Sequence, residues 1–546
     1  QPQQQPQQPA PQHAQPAPES GPQLMSQASA KPKAKAASGK AKAKAKAEAA
    51  KPIFDPAASP AKPPQGGPKP ADATPEKTPQ PSQEKRAVTA AGGSPCSLVA
   101  AGPEGKFERH SIEQWKQYAT LYAARLSQLR GLVREEARAL WGGRVAPSGF
   151  CSDICNYRSG STREVVVTGI LFKELKSRKD VIQLYRDNRL KSSVSSADDP
   201  TEPGCLCSDS DRLYIEDSTM RLGIKVTPEV AASFCSGLVA AVLGTPSADG
   251  ELVVEPGDFI FARLPPPQPL PRWTGAEPGP FVALVSGLAR PGGEEPAHRE
   301  ALDRLVDFVS KGAGGEVRRL IVCGGAVCSQ ACGAGSPATK EAVAVADQLL
   351  ARLAACTQVH MMPGKADPSN MSLPQLPLHP KLFKHAGGSG ALKCVSNPYM
   401  SSLEGLSVLG HAGQPVEDML RSMRGLDHMD ALRLCLQAMH LAPTAPDTLP
   451  MPPFETEDPF VIREVPHLLF SGNHERPQHE WSPAPRGAEA TSGTQLVLVP
   501  AFHIHPSVVL VSLRDPRDVR VQDLGVAGAG VPSAGAVDAS MADASA

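Results

Sequence analysis

The chain has 546 residues, with Lys plus Arg balancing Asp plus Glu to zero net charge. Global charge therefore gives no pull toward nucleic acid or membrane, and the length allows two or three domains. The absence of an apolar run of about 18 residues argues against a membrane span, and no signal-peptide pattern is present. The sequence opens on Gln1 rather than Met.

Residues 1–104 are dominated by Pro, Gln, Ala and Lys and hold almost no aromatic or branched apolar residues. Such a segment buries too little surface to offset its chain entropy, so it is expected to be disordered. Within it, Lys31, Lys33, Lys35, Lys40, Lys42, Lys44, Lys46 and Lys51 stand against a single Glu48. An alternating Lys-Ala polycation suits weak, non-specific contact with DNA or nuclear import, or serves as a solvated linker.

A helix is expected near 111–141. Ser111 with Gln114 fits a capping box, and Ile112, Trp115, Tyr118, Tyr122, Leu126, Leu129, Val133, Leu140 and Trp141 recur at helical spacing. Gly142-Gly143 ends it. Strands follow at Arg163–Phe172, in two runs within Leu213–Val226, at Leu238–Gly244 and within Glu251–Ala262. Four or five antiparallel strands in this span predict a small OB-fold barrel over 105–262. Its few aromatics, Phe172, Tyr214, Phe259 and Phe261 among them, favour a structural barrel over an autonomous nucleic-acid binder.

Pro265-Pro266-Pro267 marks a stiff connector to a second domain over 263–525. There, strands are expected at Phe281–Gly287, Leu320–Gly324, Val359–Met362, Leu392–Ser396, Gly405–Leu409, His467–Gly472, Gln495–Pro500 and Val508–Leu513. Helices are expected over Arg299–Ser310, Ala338–Ala355, Val416–Met423 and His428–Met439. Strand–helix alternation predicts an α/β domain with its site at the strand ends. Residues 526–546, rich in Gly, Ala and Ser, are expected to be a disordered tail.

The turn at Met362-Pro363-Gly364-Lys365-Ala366-Asp367 is the most informative segment. A two-metal phosphoesterase presents D-x-H, G-D, G-N-H-D, a further His and G-H-x-H at successive strand ends, because paired metals need a cage of carboxylates and imidazoles. In this chain Gly287 and Ala289 stand at the first position and Gly325 at the second. Lys365 and Ala366 stand at the third, Ala412-Gly413 follow His411 at the fourth, and Asn473 stands at the last. Gly472-Asn473-His474-Glu475, with His503 and His505 downstream, imitates an active motif but lacks the preceding carboxylates. No catalytic residue, metal ligand or cofactor site is therefore assigned. The twelve cysteines form no C-x-x-C pair, which argues against zinc and for free thiols in a reducing compartment. Phosphate-loop and nucleophile-elbow patterns are absent, and Cys323 has no placed base.

Met362–Asn370, Leu373-Pro374-Gln375, Leu378-His379-Pro380, Ser396-Asn397-Pro398-Tyr399, the run HLAPTAPDTLP at 440–450, Asp458-Pro459-Phe460 and Pro466–Asn473 together carry a likeness. Over roughly 105–525 the chain resembles the B-subunit family of replicative DNA polymerases, on its delta branch. That resemblance implies an OB-fold joined to an inactivated calcineurin-like phosphoesterase α/β sandwich. It implies a nuclear, non-catalytic scaffold in DNA replication and repair synthesis. The partners it implies are the C-terminal domain of the DNA polymerase delta catalytic subunit and the third subunit, with no small-molecule substrate. The long N-terminal tail departs from the family pattern, and no sliding-clamp box is legible. The competing expectation is an active metal-dependent phosphoesterase or nuclease built on Asn473 and His474.

Overall fold

A computed structural model of the chain describes residues 117–525 apart from 161–162, 179–203, 266–268, 270–279, 292–294, 312–316, 328–336 and 485–491. The described residues belong to one compact unit. Both tails and the proposed capping box at Ser111 lie outside the described residues, as do Cys328 and Cys332. No described helix is long and apolar enough to cross a membrane.

The first helix, α1 (Ala119–Trp141), buries Leu121, Leu126, Leu129, Val133, Ala137 and Trp141 along one stripe. It packs on a barrel formed by β1 (Val165–Glu174), β2 (Arg212–Glu216), β3 (Arg221–Lys225), β4 (Val239–Pro246) and β5 (Leu252–Val253). The strand order is β1-β2-β3-β5-β4, and β4 pairs back onto β1 to close the ring. The β3–β5 pair is parallel and the other four pairs are antiparallel. This closed five-stranded Greek-key arrangement is the OB architecture the strand spacing predicts. Alternation decides the faces: Leu213, Ile215, Leu222 and Ile224 are buried, while Arg212, Arg221 and Lys225 point to solvent. A five-residue helix, α2 (Pro228–Ala232), precedes β4, and β6 (Phe259–Ile260) extends the sheet from β4.

The second region contains β7 (Phe281–Val285), α3 (Pro296–Lys311), β8 (Val317–Cys323), α4 (Pro337–Ala354), β9 (Gln358–Met362), β10 (Leu392–Cys394), β11 (Tyr399–Leu403) and β12 (Leu406–His411). It continues with α5 (Gln414–Ser422), α6 (His428–Gln437), β13 (Leu468–His474), β14 (Gln478–Pro483), β15 (Gly493–Pro500), β16 (Ser507–Ser512) and β17 (Val519–Asp523). Two mixed sheets result, ordered β10-β9-β8-β7-β16-β17 and β11-β12-β13-β15-β14. Their inner faces share a core of Val282, Leu284, Ile321, Met362, Val408, Phe470, Val497 and Val509. The alternate residues of β7 and β8, such as Ala283, Val285 and Leu320, pack with Leu305, Leu350 and Leu353 of α3 and α4. On the far side, Leu409, Leu469, Leu496 and Leu498 join α5, α6, α1 and the barrel in one continuous core. The fold is mixed α/β with apolar layers on both sides of both sheets.

Strands β11, β14 and β17 are absent from the expected set. Each is an edge or hairpin strand with polar residues on its exposed face, as in Gln478-His479-Glu480 and Arg520, Gln522 and Asp523. An edge strand is defined by pairing with a neighbour, so it shows little apolar alternation of its own. The strand expected at Gly405–Leu409 runs instead to His411, with Gly405 in the preceding turn.

Candidate functional site

The C-terminal ends of β7, β8, β9, β12 and β13 converge on one junction. Four glycines there have positive φ: Gly287 at 59°, Gly324 at 87°, Gly325 at 73° and Gly413 at 106°. Their lack of a side chain allows backbone to meet backbone. A Cβ on Gly325 would lie 2.8 Å from Gly287 Cα and 2.9 Å from Asn473 Oδ1. One on Gly324 would lie 2.7 Å from Ala412 Cβ and 3.0 Å from Gly364 Cα. The amides of Gly287 and Ala289 donate to the carbonyls of Gly324 and Gly325, both at 2.9 Å. The loops that follow β7, β8 and β9 are thus in direct backbone contact.

Asn473 occupies the centre. It adopts φ 61°, a region that Asn tolerates better than most residues. Its side-chain amide donates to the carbonyls of Ala412 (2.8 Å) and Cys323 (3.2 Å). Its backbone N–H donates to Ser286 Oγ at 2.8 Å, and that hydroxyl donates to Pro500 O at 2.8 Å. Asn473 therefore ties several strand ends together.

Asp367, 5% exposed, accepts from the backbone amides of Gly364 (2.6 Å), Gly325 (2.7 Å) and Val327 (2.6 Å). Burial pushes its carboxyl up to about 6 against the opposing effect of these donors. It staples the β9 turn to the loop after β8. Lys365 is exposed, with its Nζ 3.9 Å from Glu417 of α5.

The histidines of the look-alike motif do not converge. His474 is buried on the α6 side of β13, hydrogen-bonded to Ser471 Oγ at 2.6 Å and in edge contact with His428. His411 lies on the same side and accepts from the Gly413 amide at 3.1 Å. Burial holds both imidazoles down at about 3, with His428 and His411 adding to the effect on His474. His503 is 3.0 Å from Gly287 O, and His505 pairs with Ser507 at 3.2 Å. Among the described residues no group of three or more His, Cys, Asp or Glu is arranged to hold a metal ion.

The remaining motif segments build two buried polar joints. In one, Asn397 Nδ2 and Gln414 Nε2 both donate to Gln375 Oε1 (2.8 and 2.9 Å), and Gln375 Nε2 donates to Gly364 O at 3.2 Å. Asn397 Oδ1 accepts from the Ala412 amide at 3.1 Å. This amide network braces the strand-end junction from behind.

In the other joint, Arg125 of α1, 0% exposed, reaches Asp458 Oδ2 at 2.7 Å, Pro443 O at 2.8 Å, Gly237 O at 3.1 Å and Ala445 O at 2.5 Å. His440 Nε2 lies 3.0 Å from the same Asp458 oxygen. Arg125 and His440 hold the Asp458 carboxyl well below the usual carboxylate range, overcoming the burial that would raise it. The segment 440–450 is thus the seam between helix, barrel and sandwich. Sequence reasoning misses Arg125, although a signal exists: it follows Leu121 and precedes Leu129 by four residues in the apolar stripe of α1. A cation at such a position requires a buried partner.

A closed OB barrel fused through a polar seam to a two-sheet α/β layer defines the class. Residues 117–256 match the family described as DNA polymerase delta subunit OB-fold domain, and residues 282–480 match the B-subunit family of DNA polymerases alpha and epsilon. DNA polymerase delta subunit 2 of Drosophila melanogaster is 31% identical over 433 residues, covering 75% of this chain and 94% of that protein. The DNA polymerase delta small subunit of Oryza sativa is 28% identical over 75% of this chain and 94% of its own length. The DNA polymerase delta small subunit of Saccharomyces cerevisiae is 24% identical, with 65% and 80% covered. The chain belongs to the DNA polymerase delta small-subunit family.

Proposed function

We propose that this chain is a non-catalytic scaffold subunit of a DNA polymerase delta holoenzyme, acting in the nucleus in replication and repair synthesis. It bridges the C-terminal domain of the catalytic subunit and the third subunit. Its second region is a calcineurin-like phosphoesterase frame that has lost its metals. The observation that supports this is the strand-end junction: Gly287, Gly325, Ala412 and Asn473 meet there through backbone and amide contacts, and none of them offers a carboxylate or imidazole to a cation. Asp367 spends its lone pairs on three backbone amides rather than facing outward. A role confined to holding shape accounts for both. The Lys-rich segment 31–51 adds at most a weak electrostatic contact to DNA.

Metal analysis of the purified chain and co-purification with a polymerase delta catalytic subunit test this reading. A stable complex with no stoichiometric manganese, iron or zinc on this chain is expected. Two tightly bound ions per chain, or phosphodiester hydrolysis lost on His474→Ala, would overturn it. Deleting residues 1–104 is expected to lower the salt dependence of duplex binding, and an unchanged slope removes the tail from the account.

A further inference from the structure

Residues 204–211 lie against the end of α5 on one side and β1 of the barrel on the other. Leu206 N donates to Arg421 O at 2.7 Å, and Cys205 Sγ lies 3.6 Å from Met423 O. Between them sits Lys173, whose side chain is fully buried. Its Nζ is 2.6 Å from Ser422 O and 3.2 Å from Cys207 Sγ. The carboxylate oxygen Asp211 Oδ2 is 3.9 Å away and already accepts from the Ser208 amide at 2.9 Å. The guanidinium of Arg424 is paired with Asp209, at the far end of the same segment. Half-buried Cys207 thus lies beside a buried ammonium, and Cys205, two positions earlier in the chain, is exposed.

Thiolates rather than thiols react with peroxides, and neighbouring Lys or Arg stabilises them. Cys235, Cys323 and Cys435 present the opposite environment: they are buried, and burial pushes their thiols up, which makes them inert. We infer that Cys207 is an oxidative modification site for small hydroperoxides, with Cys205 as its resolving thiol. The Cys207 thiolate attacks one peroxide oxygen, the O–O bond breaks, sulfur is oxidised to the sulfenic acid and hydroxide leaves. Cys205 then attacks that sulfur, the S–S bond forms, the S–O bond breaks, and the hydroxyl leaves as water with the Cys205 proton. Closing a bridge across one intervening residue bends the segment, so the Leu206–Arg421 hydrogen bond and the Lys173–Cys207 contact are released together. Oxidation therefore loosens one of the contacts that hold barrel and sandwich together.

The test treats the full chain with hydrogen peroxide and maps the thiols by peptide mass spectrometry with a sulfenic-acid probe. Wild type should form a Cys205–Cys207 disulfide that dithiothreitol reverses. Cys205→Ser should trap the sulfenic acid on Cys207, at a rate at least about tenfold above that of exposed Cys356. Cys207→Ser should leave Cys205 no faster than Cys356. Reaction of Cys207 at or below the Cys356 rate, or bridges joining other cysteines in its place, would overturn the assignment.

Discussion

At the level of single residues, the strand-end junction and the Arg125 seam make opposite use of polarity. At the junction, the absence of side chains is what matters. Gly325→Asp, which brings a carboxylate to the junction, puts a Cβ 2.8 Å from Gly287 Cα at φ 73°. The expected result is a loss of about 2–4 kcal/mol from strain and overpacking, with no gain of metal binding. Denaturant titration and metal analysis of the variant check both parts. At the seam, the charge itself is required. Asp458→Ala leaves Arg125 buried without its carboxylate and is expected to cost about 3–5 kcal/mol, measured by denaturant unfolding. A loss under about 1 kcal/mol would mean that the carbonyls of Gly237, Pro443 and Ala445 suffice to hold the guanidinium.

Among the elements, the amide network explains why the loops at 370–375 and 396–398 and the start of α5 behave as one unit. Gln375 Oε1 accepts from two side-chain amides. Gln375→Ala strands both donors in a buried site and is expected to cost about 1–3 kcal/mol. Hydrogen exchange should accelerate first at the Asn397 and Ala412 amides, which this network holds in place. Uniform acceleration across both sheets would instead show global destabilisation without a local unit. By comparison α6 begins with a capping box in which Asp427 accepts from the Asp430 amide at 2.8 Å. That cap is exposed and local, so its removal should cost only about 1 kcal/mol.

Across the whole molecule, titration follows from burial. Burial depresses His360, His411 and His474 to about 3 each, from a usual value of 6.5. The folded state therefore keeps them neutral. Their contribution to stability is complete above pH 6.5 and is lost as pH falls from there toward 3, by up to about 1.4 kcal/mol per pH unit for each group. Asp367 works the other way: its carboxyl is raised from 3.8 to about 6, so its contribution is complete below 3.8 and lost as pH rises through 6. Three groups outweigh one, and the thermal midpoint is expected to be lower at pH 5.5 than at pH 7.5. His411→Asn keeps an acceptor for the Gly413 amide and should flatten that dependence by about a third. An unchanged slope would remove His411 from the account.

The barrel, the apolar stripe of α1 and most central strands are all legible in the order of residues. These are properties of residue identity and short-range periodicity: Leu213 and Ile215 alternate with polar neighbours whatever the rest of the chain does. Which polar residues are structural is settled only by the three-dimensional packing. Arg125 and Asp458 are 333 residues apart, and the Gln375–Asn397–Gln414 amides come from three separate segments. Asn473 and His474 are chain neighbours, yet Asn473 turns into the junction and His474 packs toward α6, across a shift of register between Ser471 and His474. A linear motif does not register such a divergence, because neighbours in a strand face opposite sides and only the packing decides what each side meets.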